Sequence, residues 1–254
     1  MYVAAVAALH KLQLSQGLIT GGQPLRGEFL KVTLKAEALK ANSKRLADYT
    51  DRGIGTLLDG YSRDEFRRIV DAFWTNQLSP RPFINLRALA DFLIRHYTLL
   101  RGDNTRIMDL PDLITIELQK EGPTPCHLLV LTCSKSKTNQ FGKVEYAAAM
   151  RNKDVYMCPL SGLAFYLFYR WHLTGESFPS FTTRSSWYDI KAFPGKQTEP
   201  TGEQSRTTQY NNIDRILNKL DINSTKKTHS GRISGARMAE LAGVATDEIR
   251  RAGT

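Results

Sequence analysis

The chain has 254 residues, 41% of them hydrophobic, which is enough for one large domain or two small ones with a real core. Lys and Arg number 35 against 25 Asp and Glu, so the formal net charge is +10. This balance favours an acidic partner such as nucleic acid or an anionic membrane surface. The sequence has no run of 18 apolar residues and neither of the common nucleotide-binding glycine motifs, which argues against a transmembrane helix and a dinucleotide or P-loop fold.

The first sixty residues have a helical pattern. A helix is predicted from about Tyr2 to Gln16 and a second from about Leu25 to Ala47, separated by the loop LITGGQP. Basic residues recur every four or five positions on the second helix, at Lys31, Lys35, Lys40, Lys44 and Arg45. The pattern fits either a solvated face or a face that contacts phosphates. The glycine-rich stretch DRGIGTLLDGYS then predicts a hinge or linker.

Two helices and a small sheet are predicted after this linker. The segment SRDEFRRIVDAFW begins a helix at Ser62, with Glu65 in the capping-box position. A long helix is predicted from about Ile84 to Leu100, ending before Gly102. The runs LITIEL and HLLVLTC predict strands joined by the turn QKEGPTP, and KSKTNQFGKVEY predicts a hairpin tip leading into another strand.

The remaining chain is predicted to be mainly helical. The apolar and aromatic run from Pro159 to Thr174 predicts a buried helix, and PGKQTEPTGEQS predicts a loop. Three more helices are predicted, at about Thr207–Leu220, Thr228–Leu241 and Thr246–Ala252. Helices, a small antiparallel sheet and more helices make an α+β fold that is mostly α.

The three cysteines, Cys126, Cys133 and Cys158, do not predict a disulfide framework, because their number is odd and their spacing unpaired. Buried thiols in a reducing compartment are the expectation. No CxxC or HxxxH pair predicts a metal site, and no motif predicts a cofactor.

The segment KKTHSGRISGARMAELAGV places His229 and Arg232 three residues apart, so a helix would present them on one face. Lys226 and Lys227 precede the helix, where backbone N–H groups favour anions. Together they predict a phosphate site in which Arg232 supplies a planar two-point donor and His229 a donor or proton carrier. A surface histidine beside a salt-bridged arginine is the alternative.

Two further segments carry candidate phosphate ligands. In LLRGDNTRIMDLPDL, Arg106 is the first candidate and Arg101 the competing one, and Asp109 is expected to hold Arg106 by an ion pair. On the predicted hairpin, Lys135 and Lys137 could reach a phosphodiester oxygen. A structural salt bridge and a solubilising turn are the respective alternatives.

The order of these segments resembles the catalytic domain of the tyrosine recombinases. An arginine follows a glycine-containing turn, a lysine lies on a β-hairpin, and HxxR opens a late helix. The segment HSGRISGARMAELAGVATDEIRRAG is similar to the corresponding part of Cre-like recombinases, and the resemblance covers roughly residues 61 to 254. It implies a tyrosine recombinase or integrase-like fold.

A second resemblance spans nearly the whole chain. The segments MYVAAVAALHKLQ, LLRGDNTRIMDLPDL, KTNQFGKVEY, FPSF and KKTHSGRISGARMAELAGV resemble fungal proteins related to domain 2 of the centromere DNA-binding subunit of the budding-yeast kinetochore. This family shares the recombinase fold and is linked to Crypton-type mobile elements. The resemblance implies binding of double-stranded DNA in the nucleus, without strand cleavage in the centromere protein.

Carried over by position, Arg106 matches the first recombinase arginine, Lys137 the hairpin lysine, with Lys135 the second choice, and His229 and Arg232 the HxxR pair. In an active recombinase the arginines clamp the scissile phosphate, the lysine protonates the leaving oxygen, the histidine assists proton transfer and a tyrosine attacks phosphorus.

The nucleophile is the point of departure from the recombinase pattern. The last tyrosine of this chain is Tyr210, which precedes HxxR. Residues 61–254 are therefore predicted to be a recombinase-like DNA-binding domain truncated at its C-terminus, without catalysis, and residues 1–60 a remnant of a DNA-clamping helical domain.

Three functions remain open at this point. The first is a non-cleaving DNA-binding module, the second a recombinase fragment whose tyrosine lies beyond Thr254, and the third an interaction domain without DNA affinity. The expected partner is duplex DNA rather than a membrane, with a homodimer as the other candidate assembly.

Overall fold

The computed structural model describes residues 2–20, 27–47, 59–120, 124–133 and 144–253. The chain divides into two compact units, Met1–Arg52 and Gly53–Thr254. No helix among the described residues is long and apolar enough to cross a membrane.

The first unit contains two helices, α1 (Tyr2–Ser15) and α2 (Glu28–Ala47), close to their predicted bounds. The lysines predicted to form a basic face of α2 are exposed at positions 31, 35, 40 and 44. Two of them pair with a glutamate one turn earlier, Lys31 with Glu28 at 3.3 Å and Lys40 with Glu37 at 3.2 Å. Such exposed pairs contribute little to stability.

The described part of the second unit is mostly helical, as predicted, with a three-stranded and a two-stranded antiparallel sheet. Its helices are α3 (Arg63–Trp74), α4 (Pro82–Thr98), α5 (Gly102–Ile107), α6 (Pro159–His172), α7 (Arg206–Lys219), α8 (Ser230–Leu241) and α9 (Thr246–Ala252). Its strands are β1 (Leu113–Leu118), β2 (Cys126–Cys133), β3 (Glu145–Ala149), β4 (Pro194–Lys196) and β5 (Glu199–Glu203).

Helix α3 begins with the capping box that the sequence predicts. The Glu65 backbone N–H donates to Ser62 Oγ at 3.3 Å, and the Ser62 backbone N–H donates to the Glu65 carboxylate at 2.6 Å. Two backbone donors that have no partner within the helix are thereby satisfied. The helix start is fixed by local sequence alone.

Helix α4 lies between two hydrophobic clusters and joins them. On one side Leu89 and Phe92 pack with residues of α3 and α7 around Tyr61. On the other side Ala90 and Ile94 pack with residues of β2, α6 and the chain just before β4. A helix that is buried nearly all round has no solvent face, which explains its weakly periodic sequence.

The β1–β2–β3 sheet confirms the predicted strands, with Leu113 opposite Leu131 and Cys133 opposite Glu145. Two predictions were wrong. The segment expected to be a loop at residues 194–205 forms the β4–β5 hairpin. Helix α6 is buried on one face only, because Phe165 and Phe168 are exposed.

Helix α8 crosses the C-terminal end of α4 at very short range. A Cβ atom added at Gly235 would lie 2.2 Å from the His96 carbonyl oxygen and 2.9 Å from a Leu99 methyl group. At Gly231, on the same helix, the nearest atom would be the Tyr61 hydroxyl oxygen at 3.6 Å. The close approach of α8 to α4 therefore requires glycine at position 235 but not at position 231.

We therefore predict opposite effects for two alanine substitutions on α8. Gly235→Ala should lower the free energy of unfolding by about 2–3 kcal/mol, because the new methyl group overlaps backbone that cannot move away. Gly231→Ala, the matched control, should be neutral or stabilising by up to about 1 kcal/mol, because alanine favours helix. Urea unfolding measures both, and equal stability of the two variants would contradict the packing described.

Candidate functional site

The end of α4 brings Arg101 into the region of the HxxR segment. Leu99 ends the helix in the left-handed conformation with φ 55°, which costs about 1–2 kcal/mol for a residue other than glycine. The Leu99 side chain is buried against α8, so packing offsets this strain. Two residues later Arg101 occupies the N-cap position of α5, immediately beyond the turn.

A buried polar network fixes α5 on α4. The Asp91 carboxylate pairs with the Arg95 guanidinium at 2.9 Å and accepts hydrogen bonds from Thr105 at 2.5 Å and Gln209 at 3.3 Å. Gln209 also donates to the Gly102 carbonyl at 3.1 Å. All four side chains are buried. Because one carboxylate joins α4, α5 and α7, the start of α5 is held in place.

The same network reaches the HxxR segment through Arg95. Arg95 Nη1 donates a hydrogen bond to the Thr228 carbonyl at 3.0 Å. Thr228 lies in a single 3-10 turn, Lys227–His229, that leads directly into α8. Arg232 lies on the first turn of α8 and donates to the carbonyl of Gly253, at the end of α9. The backbone next to His229 is thus held by a distant side chain, and the Arg232 side chain by distant backbone.

The electrostatics show that the His229 imidazole lies close to the Arg232 and Arg101 guanidinium groups. Burial lowers the pKa of the His229 imidazole, and the positive charges of Arg232, Arg101, Lys226 and Arg95 lower it further. Burial and the charge of Arg101 likewise lower the pKa of the Arg232 guanidinium. A site in which neighbouring cations repel one another favours an anion between them.

A cavity of about 440 Å³ opens beside this cluster. Arg101 and Arg232 line it together with Arg250, and Glu145 is the acidic residue in its wall. Glu145 begins β3, directly after the segment that carries the predicted hairpin lysines. Lys135 and Lys137 themselves lie outside the described residues.

Arg106 does not join this cluster. Its guanidinium pairs with Glu203 at 2.8 Å and with Asp103 at 3.5 Å. Arg106 lies within α5, whereas Arg101 precedes the helix at its N-cap, and only Arg101 of the two lines the cavity with Arg232. The predicted Asp109–Arg106 ion pair was wrong, because Asp109 pairs with Lys191 at 2.8 Å.

The two lysines before α8 differ in their surroundings. Lys226 is exposed and close enough to His229 to affect its pKa. Lys227 is half-buried and pairs with Asp214 of α7 at 3.3 Å. Of these two, Lys226 is the better placed to reach an external anion.

The sequence predicts Arg106 as the first phosphate-binding arginine and Arg101 as the competing one, and Arg101 is the one that lines the cavity with Arg232. Both arginines lie in the same short segment, and the spacing alone does not reveal which one faces α8. The signal that separates them is the helix end: Arg101 follows the Leu99 turn, and that turn packs against Gly235 of α8.

The cysteines are buried free thiols, as predicted. Burial raises the pKa of Cys133, which keeps this thiol protonated. Among the described residues no group of three His, Cys, Asp or Glu side chains could hold a metal ion.

The protein-family model described as "Centromere DNA-binding protein complex CBF3 subunit, domain 2" matches residues 26–254. The chain belongs to this family. No curated protein matched the sequence.

Solved structures show the fold that this domain 2 family member adopts. XerH site-specific recombinase bound to a palindromic difH substrate, a post-cleavage complex, matches with a TM-score of 0.53 and 13% identity over 76% of this chain and 45% of that one. An Flpe–Holliday junction complex matches with a TM-score of 0.51 and 14% identity, over 92% of this chain and 53% of the Flpe chain. Ndc10 of budding yeast, described as a platform for inner kinetochore assembly, matches with a TM-score of 0.48 and 20% identity. The match covers 68% of this chain and 44% of the Ndc10 chain.

The XerH and Flpe matches confirm the predicted recombinase fold. The chain spans about half the length of the solved structures that it resembles.

A buried histidine supports the HxxR segment from beneath. The Tyr61 hydroxyl and His96 Nδ1 are 2.9 Å apart, and His96 also hydrogen-bonds the Gly231 backbone at the start of α8. Burial lowers the pKa of His96 to about 3 and raises that of the Tyr61 hydroxyl. His96 is therefore neutral in the folded domain at neutral pH.

We predict an acid sensitivity that His96→Gln removes. In the unfolded chain a histidine has a pKa near 6.5, so the unfolded state binds a proton below that pH while the folded state does not until pH falls near 3. Stability from this group is therefore present above pH 6.5 and decreases by about 2 kcal/mol between pH 6.5 and 5. Urea unfolding across this range should show a flatter profile for His96→Gln.

His127→Gln, a substitution of an exposed histidine on β2, is the matched control and should keep the wild-type profile. Identical pH slopes for His96→Gln and wild type would contradict the buried neutral histidine.

Proposed function

We propose that this chain binds double-stranded DNA by gripping backbone phosphates with Arg101, His229, Arg232 and Lys226, without cleaving a strand. The observation that supports this most is the convergence of Arg101 and the HxxR pair on one cationic cluster. Membership in a family of centromere DNA-binding complex subunits agrees with it, as do the recombinase–DNA complexes that share the fold.

Arg101, rather than Arg106, is proposed as the first phosphate-binding arginine. Arg101 lines the same cavity as Arg232, whereas Arg106 does not line it and is held by Glu203 and Asp103. We retain Arg106 and Lys227 as secondary contacts on the flanks. Lys137, with Lys135 as the second choice, is proposed to approach the same phosphate, because the strand that follows them begins at the wall of the cavity.

Phosphate contacts supply affinity but little sequence information. We therefore propose binding that depends steeply on salt and only weakly on base sequence. In keeping with the centromere family, the nucleus is the proposed location. The helices of residues 1–60, whose lysines at 35 and 44 are exposed, are proposed to extend the DNA contact, and a second copy of the chain is a further candidate partner.

A recombinase fragment is the second candidate, and the retained Arg101–His229–Arg232 cluster is the observation in its favour. No tyrosine lines the cavity shared by the two arginines, within the part of the chain described. A nicked suicide duplex separates the two candidates. A denaturation-resistant protein–DNA band with this chain would establish cleavage, and its absence from a chain that binds the duplex supports the non-cleaving module.

We predict that Arg101→Gln/Arg232→Gln weakens binding of a labelled random duplex by about 100-fold in fluorescence anisotropy at low salt. Each charge-assisted hydrogen bond to phosphate is expected to contribute about 1.5 kcal/mol or more. The slope of log Kobs against log salt concentration should also become shallower by about 2 in the double variant, one for each lost phosphate contact.

Lys153→Gln/Arg184→Gln removes the same charge from exposed positions that do not line the cluster's cavity, and should change affinity by less than about threefold. Equal losses for the two double variants would show that net charge, and not the cluster, determines binding. An unchanged affinity in the cluster variant would favour the interaction-domain alternative or another DNA surface.

A further inference from the structure

A second basic cavity lies at the opposite end of α4 from the phosphate cluster. It has a volume of about 610 Å³ and opens between the first turn of α4, the β4–β5 hairpin and α7. Its cationic lining residues are Arg81, Arg87, Lys196 and Arg215. No carboxylate lines it among the described residues, so its electrostatic potential is strongly positive.

The charges at the mouth of this cavity are available to a ligand. The side chains of Arg81 and Arg215 are exposed and have no ion pair or side-chain hydrogen bond within the described part of the chain. Lys196 is engaged, since it pairs with Glu199 at 2.9 Å on the hairpin. Two exposed arginines therefore line the cavity with guanidinium groups that no described side chain engages.

Buried side chains fix the shape of the cavity. Asn85 is fully buried, accepts hydrogen bonds from the backbone N–H groups of Leu78 and Ser79, and donates to the Arg81 carbonyl at 3.0 Å. These contacts fix the loop that carries Arg81. The cavity wall is thus set before any ligand arrives, which lowers the entropy cost of binding.

Arg87 fixes the opposite wall. This residue is 3% exposed, and it donates to the carbonyls of Pro194 at 2.5 Å and Gly195 at 2.7 Å, holding the β4–β5 hairpin against α4. Its Nε has no hydrogen-bond partner among the described residues. A buried guanidinium with an unused donor increases the preference of this site for an anion.

The N-terminus of α4 adds the partial positive charge of the helix dipole to this cavity. The N-cap residue, Arg81, makes no side-chain hydrogen bond to the helix, so the N-terminal backbone donors have no side-chain cap. Helix α4 has 17 residues, long enough for its N-terminus to attract an anion.

The floor of the cavity is apolar. Leu78, Phe83 and Ile84 line it beside the arginines. A concave site of this volume, with apolar walls and a few convergent polar groups, has the properties of small-molecule sites. The combination selects a ligand with an anionic group and a flat or apolar portion.

We propose that this cavity binds a small organic phosphate, with the phosphate group held by Arg81 and Arg215 at the first turn of α4 and the organic part on Phe83 and its apolar neighbours. A DNA backbone suits the site less well. A duplex presents phosphates on a convex surface, whereas this cavity is concave and includes the buried Arg87 in its wall. The cavity is also about 25 Å, the length of α4, from the Arg101 cluster.

The test is isothermal titration calorimetry of the full chain with adenosine 5′-monophosphate, inorganic pyrophosphate and, as the uncharged probe, adenosine. We expect saturable one-to-one binding of at least one phosphate probe, with Kd below about 1 mM, and at least tenfold weaker binding of adenosine. Arg81→Gln/Arg215→Gln should raise the Kd of the phosphate probe at least tenfold. Both residues are exposed, so the variant should retain the wild-type Tm.

Two controls separate this proposal from the DNA proposal. Lys153→Gln/Arg184→Gln, with the same loss of charge, should bind the phosphate probe as the wild type does. Arg101→Gln/Arg232→Gln should also bind it unchanged, although it should lose duplex affinity.

Three results would overturn the proposal. The first is the absence of saturable binding by either phosphate probe. The second is an equal loss of affinity for the phosphate probe in the cavity variant and the control variants. The third is a cavity variant that loses affinity for the duplex but binds the phosphate probes as the wild type does, because the cavity would then belong to the DNA surface.

Discussion

The buried ion pair between Asp91 and Arg95 is the interaction on which the candidate phosphate site depends. The Asp91 carboxylate ties the start of α5 to α4 through Thr105 and Gln209, and the Arg95 guanidinium holds the turn that leads into α8. Arg101 and the HxxR pair are distant in sequence, yet both are positioned from this one pair. Removing one partner would leave an uncompensated buried charge, at a cost of about 3–5 kcal/mol.

The site that this pair supports is electrostatically unfavourable by itself. Burial and neighbouring positive charges lower the pKa of both His229 and Arg232. The fold holds these groups together through packing at Gly235, the strained Leu99 turn and the Arg232 contact to the end of α9. A bound phosphate would neutralise the repulsion, so the same arrangement that costs stability in the free chain favours an anionic partner.

Local patterns predicted much of this fold, and long-range contacts account for what they missed. The Ser62–Glu65 capping box and the β1–β2 strands are encoded within a few residues, and both were predicted correctly. The β4–β5 hairpin was predicted as a loop because its sequence is polar and rich in Gly and Pro, while Arg87, more than a hundred residues earlier, holds it in place. The proximity of His229 and Arg232 follows from their spacing. The position of Arg101 beside Arg232 depends on the crossing of α4 and α8, which sequence spacing does not reveal.

The salt dependence of duplex binding by the unaltered chain tests the central claim most directly. If Arg101, Arg232 and Lys226 each neutralise one phosphate, a plot of log Kobs against log salt concentration should have a slope of about −2.7 or steeper. Fluorescence anisotropy of a labelled random duplex across a salt series measures that slope. A slope near zero, or no binding even at about 50 mM salt, would contradict a cationic cluster organised to hold DNA phosphates.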